Sequence, residues 1–277
     1  MKAPALSVLL SSLLFLFSAA VSAQEAPSVL RVASYNILHC SGINDCKSVD
    51  PERTAEVIRA LDADLCALQE VDREMNRSGK VDQTAVLAEK TDRIGTFSAA
   101  ISIDGGEYGV ALLSKQAPQR VEFVPLPGKE EKRTLLIAEF DDFVLFNTHL
   151  SLRHPSRVKS AEIISRKLSE QKKPVILTGD MNVSGEEERE ELFGKEWTVL
   201  TAEAPTFPSD GPRARIDYIL IADPTGKIPA GSDHWSKMVL SAKVVDAPNI
   251  SDHLPVMVEL DRSSLKPPRY PIKRVRR

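Results

Sequence analysis

Beyond Ala23 the sequence has no apolar run near the roughly 20 residues that a helix needs to cross a bilayer. It has no internal repeat, so repeat arrays are excluded, and no Gly/Ser-rich linker that would join separate domains. It has no long aromatic hairpin of the kind that inserts deeply into a membrane; Trp235 is the one candidate for a modest surface anchor. It also lacks a basic excess. The formal charge is −3, and setting aside Lys2 and the six basic residues after Arg262 leaves −10 on the body between them. Non-specific polynucleotide binding usually rests on a basic footprint, so this balance counts against a nuclease, although a local basic groove can exist on an acidic protein. Cysteine is scarce, with three residues, which fits an exported protein. Cys40 and Cys46 bracket one short polar loop and are expected to form a disulfide in an oxidising compartment, two free thiols being the alternative. Cys66, inside Leu65-Cys66-Ala67-Leu68, reads as a small buried hydrophobe rather than a nucleophile.

What is present begins with a pattern typical of export. Lys2 precedes an apolar run from Val8 to Phe17, and Val21-Ser22-Ala23 offers small residues before a cut at Gln24. The run is short for a membrane anchor. Residues 1–23 are therefore expected to be a signal peptide, which implies a periplasmic or secreted protein. Residues 24–262 suit one large domain, and 263–277 form a Pro-rich basic tail. The tail is read as a solvated segment, with attachment to an anionic surface as the sharper alternative.

Apolar patterning maps the elements. Val29–Tyr35 reads as a strand delivering Asn36. Asp50-Pro51-Glu52 starts a helix whose buried face carries Ala55, Ile58 and Leu61. Leu65–Leu68 is a short buried strand, and a second helix is centred on Ala85–Ala88. Tyr108–Ser114 and Arg120–Val124 read as neighbouring strands. Thr134–Phe140 and Phe143–Thr148, joined at Asp141-Asp142, form a hairpin. A long helix spans about Pro155–Glu170 and stops before Pro174, after which Val175–Thr178 is a strand. Arg215–Ala222, Met238–Val244 and Val256–Leu260 complete the set. Strands outnumber helices and several are joined by tight turns. The expected class is α+β: two mixed sheets packed face to face with helices outside, a four-layer sandwich.

Six polar clusters sit at the ends of these apolar runs: Ser34-Tyr35-Asn36, Leu68-Gln69-Glu70-Val71-Asp72, Asn147-Thr148-His149-Leu150, Thr178-Gly179-Asp180-Met181-Asn182, Arg215-Ile216-Asp217-Tyr218 and Ser251-Asp252-His253-Leu254-Pro255. In this order, over about Leu30 to Leu260, the chain resembles the endonuclease/exonuclease/phosphatase superfamily, the deoxyribonuclease-I-like fold. The resemblance implies the same sandwich and a phosphoester substrate hydrolysed with a divalent metal, Mg²⁺ or Mn²⁺. Glu70 would be the leading metal ligand, beside the amide oxygen of Asn36, with Asp252 contributing directly or through water; hard oxygen donors suit Mg²⁺. Asp180 would orient or deprotonate the attacking water, and Asn182 would hold that water or a phosphate oxygen. Asp217 would hold His253, fixing its tautomer, while His149 contacts the other side of the phosphate. Arg77, Tyr108 and Arg133 are candidates to touch the substrate, and Glu107 is a candidate partner for His149. His39 and His154 read as rim or supporting residues. A second Ser-Asp-His, Ser232-Asp233-His234, leads into Trp235 and Lys237 rather than a final strand and reads as a loop.

The export pattern disfavours cytosolic repair and signalling roles. The reading is hydrolysis of a small phosphodiester or a lipid head group by a monomer, ahead of an extracellular nuclease. A binding module on the same fold is the non-enzyme alternative, and the retention of a candidate at every catalytic position argues against it.

Overall fold

The computed structural model describes residues 28–43 and 49–265. The expected signal segment, Cys46 with its proposed bridge to Cys40, and the basic tail lie outside the described residues, apart from residues 263–265 at the start of the tail.

In chain order the elements are β1 (Val29–Asn36), α1 (Pro51–Leu61), β2 (Leu65–Arg73), α2 (Gln83–Thr91), β3 (Ile94–Ile103), β4 (Gly106–Ser114), β5 (Arg120–Leu126), β6 (Arg133–Glu139), β7 (Val144–His149), α3 (His154–Ser169), β8 (Val175–Asp180), α4 (Glu186–Phe193), β9 (Thr198–Val199), β10 (Asp217–Ala222), α5 (Asp233–Met238), β11 (Val239–Val244) and β12 (Val256–Asp261). They build two six-stranded sheets, ordered β11-β12-β1-β2-β4-β3 and β5-β6-β7-β8-β10-β9. At the centre of each sheet a parallel pair, β1/β2 in one and β7/β8 in the other, is flanked on both sides by antiparallel strands. The four-layer sandwich expected from the sequence is the observed fold.

The layers follow from period-2 alternation. Along β1, Leu30 and Val32 face the second sheet and join Leu145, Ile176 and Ile219 in the central core. Ala33 and Tyr35 point the other way, to Ile58 and Leu61 of α1 and Leu87 of α2. On the opposite side Phe146 and Leu177 pack with Ile164 and Leu168 of α3. Each such aliphatic side chain contributes about 1.5–3 kcal/mol by leaving water. The helix starts follow local chemistry: the Asp50 carboxylate accepts from the amides of Glu52 and Arg53, with Pro51 at the first helical position, and Asp82 accepts from Ala85.

Polarity changes along the space between the sheets. The positions that continue the inward-facing rows are Ser34 and Asn36 on β1, Gln69 on β2, Asn147 and His149 on β7, and Thr178 and Asp180 on β8, all buried. The neutral ones form a cross-sheet brace. Gln69 Nε2 donates to Ser34 Oγ at 3.1 Å and to Asn147 Oδ1 at 2.8 Å. Asn147 Nδ2 donates to the Leu68 and Ala111 carbonyls at 3.0 and 2.9 Å. Those carbonyls lie where the β2/β4 register shifts between Leu68 and Val71. The bulge places Gln69 and Glu70 against a single residue of β4 and gives Glu70 a φ of 56°. Simple alternation would send Glu70 to the helix side with Leu68; the bulge re-aims it at the end of β1.

Some expectations need correction. β4 and β5 are not neighbours. Both sides of β4 are taken by β2 and β3, so β5 starts the edge of the second sheet. β3 escaped the sequence reading because it is an edge strand, mostly exposed and interrupted by Gly95, Ser98 and Ser102. α4 escaped because Glu186-Glu187-Glu188-Arg189-Glu190-Glu191 shows no apolar face. Ser232-Asp233-His234 is no loop: Ser232 precedes α5, and His234 Nε2 lies 2.8 Å from the Ser264 carbonyl. Trp235 is fully buried, which removes it as a surface anchor.

The brace predicts a measurable cost. Asn147→Ala removes the bonds to two buried carbonyls and the bond from Gln69 Nε2, each worth about 0.5–1.5 kcal/mol. We expect urea denaturation to report a loss of about 2–4 kcal/mol in total, well above an exposed control such as Asn76→Ala. A loss under about 0.5 kcal/mol would remove the brace from the account.

Candidate active site

Strand register assembles the charged end of the sandwich. His149 pairs with Asp180 across the parallel β7/β8 ladder, and Asp217 pairs with Asp180 across β8/β10. Register partners share a face, so three functional side chains stand in one row. Gly179, at φ 151° and with a would-be Cβ only 2.1 Å from the Thr148 carbonyl, admits no side chain just before Asp180. The other sheet supplies Asn36 from the end of β1, Glu70 from the bulge, and Ser251-Asp252-His253 from the turn leading into β12. The Ser251 hydroxyl fixes that turn by donating to the Asn36 carbonyl at 2.7 Å.

Asn36 joins the two sets. Its Nδ2 lies 3.1 Å from Glu70 Oε1 and 3.1 Å from Asp180 Oδ2, and 3.4 Å from His253 Nε2. Its Oδ1 accepts from the Leu38 amide at 3.2 Å. Asn36 therefore enters the site through its NH₂ rather than through the oxygen expected to face a cation. Asp180 Oδ1 accepts from the Asn182 amide at 2.9 Å, whereas the Asn182 side chain donates to the Leu150 carbonyl and steadies the turn.

Asp217 and Phe207 hold the His253 ring, and Thr206 holds Asp217. The His253 Nδ1 lies 2.9 Å from Asp217 Oδ2, the Thr206 hydroxyl donates to the same oxygen at 2.5 Å, and the Phe207 ring packs 4.9 Å away. Thr206 and Phe207 escaped the sequence reading; their one signal was their place shortly before Arg215-Ile216-Asp217. Burial works against a charge on His253, but Asp217, then Asp180 and Asp252, raise its pKa to about 10. Burial, with Asp217 adding and His253 opposing, raises Asp180 well above the usual carboxylate range.

His149 is in the opposite state. Arg133, itself buried, points NH1 at His149 Nδ1 at 3.2 Å. A guanidinium only donates, so Nδ1 carries the lone pair and the proton sits on Nε2, 3.4 Å from Asp180 Oδ2. Burial, reinforced by the Arg133 charge, drives the His149 pKa down to about 3, leaving a neutral N–H donor. Arg133 is further gripped by Glu130 and Glu131, at 3.3 and 2.6 Å. It thus acts on His149, and the role of substrate contact expected for it is not what its bonds serve. Glu107 does not pair with His149 either; Arg73 Nε donates to it at 2.8 Å.

Arg77 and Tyr108 form a wall beside Glu70. Arg77 binds the buried Asp72 through two nitrogens, at 2.9 and 2.7 Å, and its guanidinium lies 5.2 Å from the Tyr108 ring centre. With Met75, Ile101, Ile103, Asp104 and Glu131 they line a cleft of about 280 Å³. His154 stands apart, half-exposed and near Glu191 at 3.3 Å.

Two groups of side chains have the donors for a divalent cation. Burial opposes the charge on Glu70, but neighbouring groups, among them the Asn36 amide and the His253 ring, outweigh it and lower its pKa, so the carboxylate is ionised. Burial raises the pKa of half-buried Asp252, and Glu70 is near enough to raise it further. Asp180, Asp217 and His253 form a second cluster, with ligand atoms within 4.8 Å of one another; the His253 ring, protonated on both nitrogens, offers no lone pair, so the two carboxylates are its cation donors. Asp217 Oδ1 there is buried without a hydrogen-bond partner among the described residues. Two sets of carboxylates at one end fit a cation that would offset their charge.

A buried His–Asp couple, a second histidine held neutral and clustered carboxylates stand together at converging strand ends. The family model described as Endonuclease/Exonuclease/phosphatase family matches residues 33–253, and the chain belongs to that family. Solved structures agree in fold. An endonuclease/exonuclease/phosphatase from Beutenbergia cavernae superposes with a TM-score of 0.66 at 21% identity, covering 84% of this chain and 72% of that one. A mannosyl-6-phosphatase from Bacteroides thetaiotaomicron gives 0.62 at 20% identity, over 83% and 99%. D. rerio TDP2 complexed with single strand DNA product gives 0.62 at 18%, over 84% and 99%. Family members are phosphoester hydrolases, typically dependent on a divalent metal.

The His253–Asp217 couple sets a titration. Because the folded pKa of His253 lies above its ordinary value near 6.5, its charge stabilises the fold fully below about pH 6.5 and that contribution is lost as pH rises through about 10. In metal-free protein the His253 ring signals in NMR should titrate near 10. Asp217→Asn should lower that midpoint by two units or more and flatten stability over the same window. An unmoved midpoint would show that Asp217 does not control the ring.

Proposed function

We propose that the protein is an exported, divalent-metal-dependent hydrolase of a small phosphodiester or a lipid head group. The observation that carries this reading is the continuous chain Glu70–Asn36–Asp180–His253–Asp217, which links a cation-binding carboxylate to an activated His–Asp couple within 3.6 Å at each step. Glu70 and Asp252 would hold Mg²⁺, or Mn²⁺ in its place, and the bound ion would neutralise charge on the phosphoryl oxygens. Asp180, with its acidity weakened by burial, is suited to take a proton from water as the water oxygen bonds to phosphorus. The His253 imidazolium donates Nε2–H to a phosphoryl oxygen, stabilising the charge that spreads over the phosphoryl group. The P–O bond to the leaving group breaks on the far side, where His149 offers Nε2–H to the departing oxygen, which takes its proton from solvent.

Substrate size rests on the surroundings. The Arg77/Tyr108 cleft is small and part apolar, and Glu130 and Glu131 lie at the site, so a compact substituent fits better than a long polyanion. The structural neighbours described as a mannosyl-6-phosphatase and as a DNA-product complex span both possibilities. The mature protein, assayed with Mg²⁺ or Mn²⁺ on bis-p-nitrophenyl phosphate, p-nitrophenyl phosphate, phospholipid and plasmid DNA, should favour the small diester or the lipid. Preferential cleavage of the plasmid would make it a nuclease.

Three further outcomes are expected. EDTA should abolish hydrolysis, and Glu70→Gln should weaken metal dependence by about tenfold or more without unfolding the chain. Full turnover by stripped protein would exclude a metal role. His253→Ala should cost about 10²-fold or more in turnover, while His234→Ala, at the far Ser-Asp-His, should cost little. Asp217→Asn added to His253→Ala should cost little further, because the two act as a unit. Multiplicative losses would separate them.

A further inference from the structure

The segment after Asn36 carries strain that the chemistry above does not use. Leu38, His39 and Cys40 hold φ values of 45°, 42° and 61°, three successive non-glycine residues in the left-handed region. Such a run is costly for side chains with a Cβ and persists only where the surroundings impose it. Here Gln83 imposes it. This fully buried side chain donates to the His39 carbonyl at 2.6 Å and accepts from the Asp72 amide at 2.9 Å. One residue thereby fixes the His39 turn against β2, two positions beyond Glu70.

The hydrogen bonds around His39 set the tautomer of its neutral ring. The Ser41 hydroxyl gives its single proton to the Leu38 carbonyl at 2.9 Å, so it can only accept from His39 Nε2, 3.3 Å away. The ring proton is then on Nε2 and Nδ1 is a bare lone pair. Nδ1 is buried, has no hydrogen-bond partner among the described residues, and faces Glu70 Oε2 at 3.9 Å. The other Glu70 oxygen, Oε1, is the one bound by Asn36. Two electron-rich atoms, held by a strained turn and a strained bulge, confront each other across a gap too long for a hydrogen bond. One cation bridges it: metal–nitrogen and metal–oxygen bonds of about 2.0–2.2 Å each span up to about 4.4 Å.

We propose that His39 Nδ1 is a ligand of the metal held by Glu70, and that this nitrogen biases the site toward a transition-metal ion such as Mn²⁺ or Co²⁺ over Mg²⁺. The proposal rests on the reading that Glu70 binds the metal. Mg²⁺ selects oxygen donors, whereas an imidazole nitrogen adds affinity along the series from Mn²⁺ onward.

Metal-stripped full-length protein tests this without turnover. Titration calorimetry with Mn²⁺ and with Mg²⁺ should find Mn²⁺ the tighter ion. His39→Gln should weaken Mn²⁺ by about tenfold or more and change Mg²⁺ by less than about threefold. Pulsed electron paramagnetic resonance of the Mn²⁺ form should detect coupling to a ligand ¹⁴N, and His39→Gln should abolish it. Melting curves of the metal-free variants check that the fold survives. If His39→Gln does not fold, His39→Asp puts an oxygen in the same place and should lower the Mn²⁺:Mg²⁺ affinity ratio by about tenfold. Unchanged Mn²⁺ affinity with the ¹⁴N coupling retained overturns the proposal and leaves His39 as an ion-pair partner of Glu70. Glu70→Gln should weaken both ions; if it weakens neither, the Glu70 site itself is wrong, a failure separate from that of His39.

Discussion

Two carboxylates from different sheets meet at the end of this sandwich, and one neutral amide keeps them together. Glu70 and Asp180 would repel across a poorly solvated gap. Asn36 gives one N–H to each, so the repulsion becomes a shared hydrogen-bonded bridge. The geometry of the whole site depends on that bridge. Asn36 is held by the Leu38 amide on its side-chain oxygen and by Ser251 on its backbone, so the first strand also places the turn that carries Asp252 and His253. A charged residue in place of Asn36 would add repulsion, and an apolar one would leave two buried acids unsatisfied.

The two histidines show how one site sets two protonation states with the same side chain. His253 faces carboxylates and holds its proton; His149 faces a guanidinium and does not. Both rings are buried, so burial cannot distinguish them, and the sign of the neighbouring charge decides. Arg133 is at the same time neutralised by Glu130 and Glu131, which lets a cation sit beside His149 without serving as a general anion trap.

The fold and the residues of the site were largely legible in the sequence, because alternation ends in a polar residue on each strand that feeds the site. Asn36, His149, Asp180 and Asp217 lie at strand ends where the apolar run stops, and that change of character is visible locally. The less legible features are non-local. The partner of Arg133 could not be read, since it lies across β6/β7 and depends on register. The brace from Asn147 to β2 could not be read, because a buried Asn in an apolar strand gives no hint of which carbonyls it will meet. Thr206 and Phe207 lie in an irregular segment with no period at all. The edge strand β3 and the acidic helix α4 were missed for the opposite reason: neither buries enough apolar surface to leave a pattern.

The pairing of β1 with β12, from Val29 against Asp261 to Ser34 against Val256, joins nearly the two extremes of the described chain. Asn36 comes from the first strand and His253 from the turn before the last. During synthesis the first strand must therefore wait for its neighbour until residue 261 has been made, and its exposed edge is open to wrong partners throughout that time. The active centre is assembled by the same event that closes the sheet. A nascent or truncated chain has the Glu70 carboxylate but not the His253 ring, so the site arrives at once, with the finished fold.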